Sequence, residues 1–273
     1  MVKFGTVIGF LEEEFAEAQE TGVSTIQLRV YCTPENLTDE QAELAKKLCD
    51  KYNLEISALW CFWPGWAVWN SYDGYETLGL VPVSTRAERV KSMMLGSDFA
   101  KKLGVEDIIT HVGFIPENPL SAEYNSLIPY LRMIGNHCAA NNQHFLFETG
   151  QETPMTLLRT FEDVNTGNMG VNLDPANLIG YGKGNPVDAM DVFGKYVRGV
   201  HIKDAVPPVC GRKNGKQTKV GEGSVNFPVL MKKLKDVGYN GPFTLEREIA
   251  DKEQRIQDNK EAIKYITDIW ESL

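Results

Sequence analysis

The stretch GVHIKDA, residues 199–205, decides how the rest of the chain is read. Val200 and Ile202 are branched residues of the kind a buried parallel strand wants. His201, Lys203 and Asp204 break that pattern, placing three ionisable groups at the strand's exit. Such an ending suits a barrel strand whose C-terminal end opens on a functional rim. Seven further branched or aromatic runs recur along the chain: KFGTVIG (3–9), TIQLRV (25–30), EISALW (55–60), DIITHV (107–112), HFLFET (144–149), MGVNLD (169–174) and FTLEREI (243–249). With VRGVHIKD (197–204) they make eight.

Amphipathic stretches lie between them. One starts at Thr38, where TDEQ supplies an N-cap and acidic first-turn residues. Its apolar positions Ala42, Ala45, Leu48 and Cys49 recur at helical spacing. The next runs through STRAERVKSMMLGSDFAKKLG, with Ser84 or Thr85 expected as cap and Gly104 at the left-handed end. Others are expected over about 122–141, after Pro154, near 187–194, after Phe227-Pro228 and over about 252–271. Eight alternating units predict a parallel sheet with helical crossovers, closed into a single (β/α)8 TIM barrel over residues 1–273. An open doubly wound sheet is less suited, because the first turn, IGFLEEEF, has no GxGxxG.

Bulk properties narrow the function. The net charge of −9 disfavours a nucleic-acid duplex or an anionic membrane as partner. The five cysteines are scattered and form no CxxC, as expected for reduced thiols in the cytoplasm. The first residues turn acidic too soon for a signal peptide, and no apolar run approaches the roughly 18 residues that span a bilayer. A soluble cytoplasmic protein is expected.

The last four strands each end on a ligand type. Glu148, Asp174, His201 and Glu246 stand at successive strand exits, where a barrel gathers its functional side chains. Asp174 alone, before Pro175, reads equally as a helix cap. Together, three carboxylates and an imidazole suit one divalent ion, with Mn²⁺ favoured over Mg²⁺, Co²⁺ or Zn²⁺.

The motifs FETGQET (147–153), VNLDPANL (171–178), VHIKDA (200–205), VGEGSVNFP (220–228) and GPFTLERE (241–248) resemble those of the xylose isomerase-like barrels, among them sugar phosphate isomerases and ketose 3-epimerases. The resemblance covers nearly the whole chain. It implies that Glu148, Asp174, His201 and Glu246 hold the metal, and that Glu148 and Glu246 are the catalytic acid/base pair. It also implies a sugar or sugar phosphate isomerase or epimerase working through a metal-stabilised enediolate, and a homo-oligomer, dimer or tetramer. The alternative on the same scaffold is a lyase, like inosose dehydratases or C-glycoside deglycosidases, which begins with the same proton abstraction. A repair endonuclease would need more than the four histidines present.

Candidate substrate contacts surround this quartet. They are His111 after the fourth strand, Asn177 where better-known ketose epimerases carry histidine, and Lys203 two residues beyond His201. Their substrate-binding arginine is absent: DAVPPV follows His201 instead. Glu152 reads as no more than an acidic helix start. Four of the five tryptophans fall in residues 60–84, with Trp60 and Trp63 expected as sugar-stacking wall residues. The loop 206–223 holds Arg212, Lys213, Lys216 and Lys219, either a solvated basic turn or a clasp for phosphate.

Overall fold

The computed structural model describes residues 2–273. Strands β1 (Phe4–Ile8), β2 (Thr25–Tyr31), β3 (Glu55–Phe62), β4 (Asp107–Thr110), β5 (His144–Glu148), β6 (Met169–Leu173) and β7 (Val197–Ile202) follow in sequence. A short antiparallel pair, β8 (Asp204–Val206) with β9 (Lys216–Thr218), stands outside the barrel. Strand β10 (Phe243–Leu245) then pairs with both β7 and β1 and closes the eight-stranded parallel barrel. The expected fold is therefore observed. The β8–β9 pair was not expected, because three-residue strands leave no periodicity to read.

Helices α1 (Glu12–Thr21), α2 (Asp39–Tyr52), α3 (Val83–Leu103), α4 (Ala122–Ala140), α5 (Pro154–Val164), α6 (Pro175–Gly180), α7 (Pro186–Phe193), α8 (Phe227–Asp236) and α9 (Lys252–Ser272) complete the chain. Thr38 caps α2 by accepting from the Gln41 amide, and Gly104 ends α3 with φ 73°. The expected cap of α3 is corrected: Pro82 occupies that position, and Ser84 and Thr85 lie within the first turn. Proline's fixed φ sets the helix entry without a hydroxyl cap. The short α6 was hidden by Pro175, which reads as a stop but sits at a first helical position.

Outward-facing residues such as Ile26, Leu28, Phe145 and Phe147 are fully buried in the main core beneath the helices. Inside the barrel only a small apolar group, Ala58, Trp60, Ile109 and Leu146, fills the lumen. Above it, Phe62 packs against this group, while Glu148, His201 and Lys203 are polar, and strand alternation carries these side chains to one rim. Among the described residues no helix is long and apolar enough to cross a membrane.

Candidate metal centre and active site

Glu148, Asp174, His201 and Glu246 each offer one ligand atom, and these atoms lie within 4.8 Å of one another. Three of the four residues are buried outright. His201 Nδ1 is the nitrogen that faces the carboxylates, 3.0 Å from Glu246 Oε2, 3.5 Å from Glu148 Oε1 and 3.6 Å from Asp174 Oδ2. Ligands in adjacent positions around an ion with bonds near 2.1 Å sit about 3 Å apart, so the spacing suits a shared cation.

The opposite ring nitrogen fixes the orientation of the ring. Nε2 lies 2.7 Å from Gln27 Oε1 and 3.0 Å from Asn172 Nδ2, so two buried amides hold the ring with Nδ1 turned toward the carboxylates. Gln27 is itself held by donating to Asn172 Oδ1 at 3.1 Å. Neither residue was picked out from sequence. The available signal was a lone amide inside a branched strand, in TIQLRV and again in MGVNLD.

Asp174 combines both roles that the sequence left open. Its Oδ1 accepts from the Asn177 amide at 2.8 Å and caps α6. Its Oδ2 is buried and accepts no hydrogen bond. A buried carboxylate oxygen that accepts no hydrogen bond is costly, and its place beside two further carboxylates, with the Lys203 ammonium 3.4 Å and His201 Nδ1 3.6 Å away, fits a site that holds a cation.

Charge around the quartet is tightly balanced. Lys203 Nζ donates to Glu246 Oε2 at 2.9 Å and lies 3.4 Å from both Asp174 Oδ2 and Glu248 Oε1. Burial works against the Lys203 ammonium, but Glu246 and Asp174 hold its pKa well above the usual lysine value. Burial likewise opposes ionisation of Glu246, yet Lys203 and His201 keep its carboxyl well below the ordinary range. Burial disfavours the Glu148 carboxylate too, and His111 and His201 lower its pKa. Trp60 Nε1 donates to Glu148 Oε2, and Asn177 Nδ2 donates to Oε1 at 3.3 Å. His111 Nε2 lies 3.4 Å from the same Oε1.

The opening stretch is thus accounted for. His201 joins the carboxylate cluster and Lys203 neutralises part of it. Asp204 folds the next loop, its carboxylate accepting from the Ala205, Gly221, Gly223 and Val225 amides at 2.9–3.0 Å. A Cβ on Gly223 would collide with that carboxylate, so the glycine permits the close approach.

A cavity of about 310 Å³ opens above the cluster. Trp60, His111, Asn177 and Lys203 line it together with Glu148 and Glu246. Trp63 does not. It is 2 % exposed and packs under the Arg89 guanidinium, 5.3 Å from its ring centre. Trp69 is the loop tryptophan that reaches the cavity, its ring 5.2 Å from that of His111. Of the two readings of the basic loop, the structure favours a solvated turn over a clasp at the cavity. The loop's neutral residues Asn214, Gly215 and Gln217 line the cavity, whereas Arg212 stacks over Tyr72 and Lys219 pairs with Glu261.

Glu152 is more than an acidic helix start. It is 3 % exposed, and its Oε1 has no partner. Burial pushes its pKa up to about 7, with His111 lowering it only in part. Thr153, the next residue, is the cap of α5.

A family model described as the xylose isomerase-like TIM barrel matches residues 15–269. The chain belongs to that family. A crystal structure of a xylose isomerase domain protein from Planctomyces limnophilus is 35% identical, with 98% of this chain and 97% of that one covered and a TM-score of 0.91. A xylose isomerase-like TIM barrel protein from Mycobacterium smegmatis, solved in complex with magnesium, is 18% identical over 95% and 89% of the two chains, with a TM-score of 0.68. An L-ribulose 3-epimerase is 16% identical over 100% and 95%, with a TM-score of 0.74. Within the xylose isomerase-like family, these last two likenesses concern the fold.

Proposed function

We propose that the protein is a divalent-metal-dependent sugar epimerase or isomerase that works by proton transfer between carboxylates and substrate carbon. The observation that carries the proposal is the convergence of Glu148, Asp174, His201 and Glu246 within 4.8 Å of one another, with Glu148 and Glu246 opening onto the cavity. The epimerase and magnesium-bound proteins of the same fold support the reading. Mn²⁺ or Mg²⁺ suits the oxygen-rich donor set.

Bound among these four residues, a divalent cation would polarise the substrate carbonyl and offset the charge of the enediolate. The remaining work falls to the chain. Glu148 and Glu246 come from β5 and β10, with β6 and β7 between them in the barrel, so they approach a substrate from different sides. One carboxylate takes the proton next to the carbonyl, and the other returns one to the opposite face. Trp60 and Asn177 orient Glu148, and Lys203 orients Glu246 while keeping it anionic. His111 and Asn177 would bind sugar hydroxyls, and Lys203 could do so by exchanging one of its carboxylate contacts. Trp60 and Trp69 would cover the apolar sugar faces and help exclude water. Lys203 is already shared among three carboxylates, and none of the four cations of loop 206–223 lines the cavity. An unphosphorylated sugar is the better match.

The test is incubation of Mn²⁺-loaded protein with a panel of ketoses in deuterium oxide. One solvent deuteron should appear at the inverted carbon. Chelation should abolish turnover, and Glu246→Gln should lower kcat by about 10²–10⁴. Formation of the isomer without label would overturn proton transfer. Release of water or an aglycone in place of an isomer would assign the protein to the lyases.

A further inference from the structure

Two loops of the catalytic rim meet at the cavity. One, residues 63–82, joins β3 to α3 and contributes Trp69 to the lining. The other, residues 207–215, joins β8 to β9 and contributes Asn214 and Gly215. Each has a defined local shape. In WNSYDG (69–74) the Asn70 carboxamide oxygen accepts from the Tyr72 and Asp73 amides at 2.8 and 2.7 Å, an Asx turn with Ser71 at its apex. In the facing loop the Gly215 amide donates to Gly180 O at 2.8 Å, and a Cβ on Gly215 would lie 2.0 Å from Val206 O. Only glycine fits so close to β8, so Asn214 stands on a fixed base.

Asn214 joins the two loops. Its Oδ1 accepts from Ser71 N at 2.9 Å and from Ser71 Oγ at 2.6 Å, and its Nδ2 donates to Trp69 O at 3.2 Å. A backbone N–H can only donate, which fixes the orientation of the amide. Both lone pairs of Oδ1 are then taken by the opposite loop. Arg212 repeats the crossing, its guanidinium 5.2 Å from the Tyr72 ring centre. Trp69 needs such support, because at 41 % exposed it is too open for packing alone to hold it beside His111.

We infer that Asn214 is a positioning residue: by clasping Ser71 and Trp69 it holds the indole as a roof over the cavity, and so sets how tightly a sugar is held there. The sugar rests on the carbohydrate reading of the cavity; the roof does not. Without the clasp the indole occupies the roof position for only part of the time, and apparent affinity falls by that fraction. A roof formed about one-tenth of the time raises KM about tenfold. The carboxylates Glu148 and Glu246 keep their own partners, so the loss falls on KM more than on kcat.

Hydrogen–deuterium exchange of the Mn²⁺-loaded protein, read over residues 69–73, tests the roof. Asn214→Ala should speed exchange there about tenfold or more, with Mn²⁺ affinity unchanged. Ketose kinetics test the hold on the sugar. KM should rise about tenfold in Asn214→Ala, with a smaller fall in kcat. Ser71→Ala should reproduce part of that rise, and Ser71→Thr, which keeps the hydroxyl, should restore the parent value. The double variant should be no worse than Asn214→Ala alone, since both substitutions open one clasp. Unchanged exchange overturns the inference. So does faster exchange with KM unmoved, or a loss of Mn²⁺ affinity in step with kcat, which would make the clasp a general support of the barrel rim. If exchange responds and the parent turns over no ketose, the roof is upheld and the carbohydrate reading alone is refuted.

Discussion

At the scale of single residues, the candidate centre depends on partners outside the quartet itself. Gln27, with Asn172, holds the imidazole of His201 in the orientation that turns Nδ1 toward the carboxylates. Replacing such a supporting partner at a metal site typically costs 10–100-fold in affinity. Gln27→Met should therefore weaken Mn²⁺ binding by about that factor, with the barrel still folded. Titration monitored by the electron paramagnetic signal of free Mn²⁺ checks it, and unaltered affinity would show that the hydrogen bond does not matter. The four residues of the cluster were legible in the sequence because each ends a recognisable strand. Gln27 and Asn172 were not, because their role appears only when β2, β6 and β7 face one another across the lumen. Trp63 and Trp69 show the same limit. Both are aromatic residues of one loop, and only tertiary packing decides which is buried and which borders the cavity.

Among the elements, the loop between β3 and α3 is the most instructive. Arg89, on α3, is 1 % exposed. Its guanidinium donates to the carbonyls of Pro64, Trp66, Thr77 and Gly79, so four loop peptides are tied to one cation. Burial lowers its pKa to about 10, still protonated at neutral pH. The loop is also pinned where Gly79 passes the next strand's exit, at φ 72°, with the Leu80 amide donating to Val112 O at 2.7 Å. Arg89→Met should strand these carbonyls and cost about 2–4 kcal/mol of stability. Arg89→Lys should rescue only part of this, because an ammonium lacks the planar five-donor fork. Urea unfolding reads the stability, and limited proteolysis within residues 64–79 reads the loop; a variant as resistant as the parent would refute the tether. The sequence marked this loop through its tryptophans, yet gave no sign of its anchor, since an arginine on an amphipathic helix reads as surface.

Over the whole molecule, the eight-fold alternation made the architecture readable end to end. Strand order and closure follow from it once crossovers are right-handed and short. What escaped was a buried acid. Glu152 titrates near 4.5 when unfolded and near 7 when folded. Between those values the native state binds the extra proton, so stability should fall as pH rises from 4.5 through 7 and level off above. The shift corresponds to about 3 kcal/mol. Glu152→Gln, which stays neutral, should match the parent near pH 5 and exceed it by roughly that amount near pH 8.5. Urea midpoints across the range measure this, and parallel pH profiles for the two proteins would rule it out. Spacing alone could not reveal Glu152, because it stands just before Thr153, where acids commonly begin helices.

The exit of β7 assigns three successive tasks to residues 201, 203 and 204: completing the cluster, neutralising part of it, and folding the following loop. Inserting or deleting one residue there would rotate all three side chains to the wrong side at once. No compensating change at a single neighbour could restore them. Length variation in this protein's relatives should therefore be shut out of the segment 199–205 and accumulate in the exposed turn 209–213 beyond it.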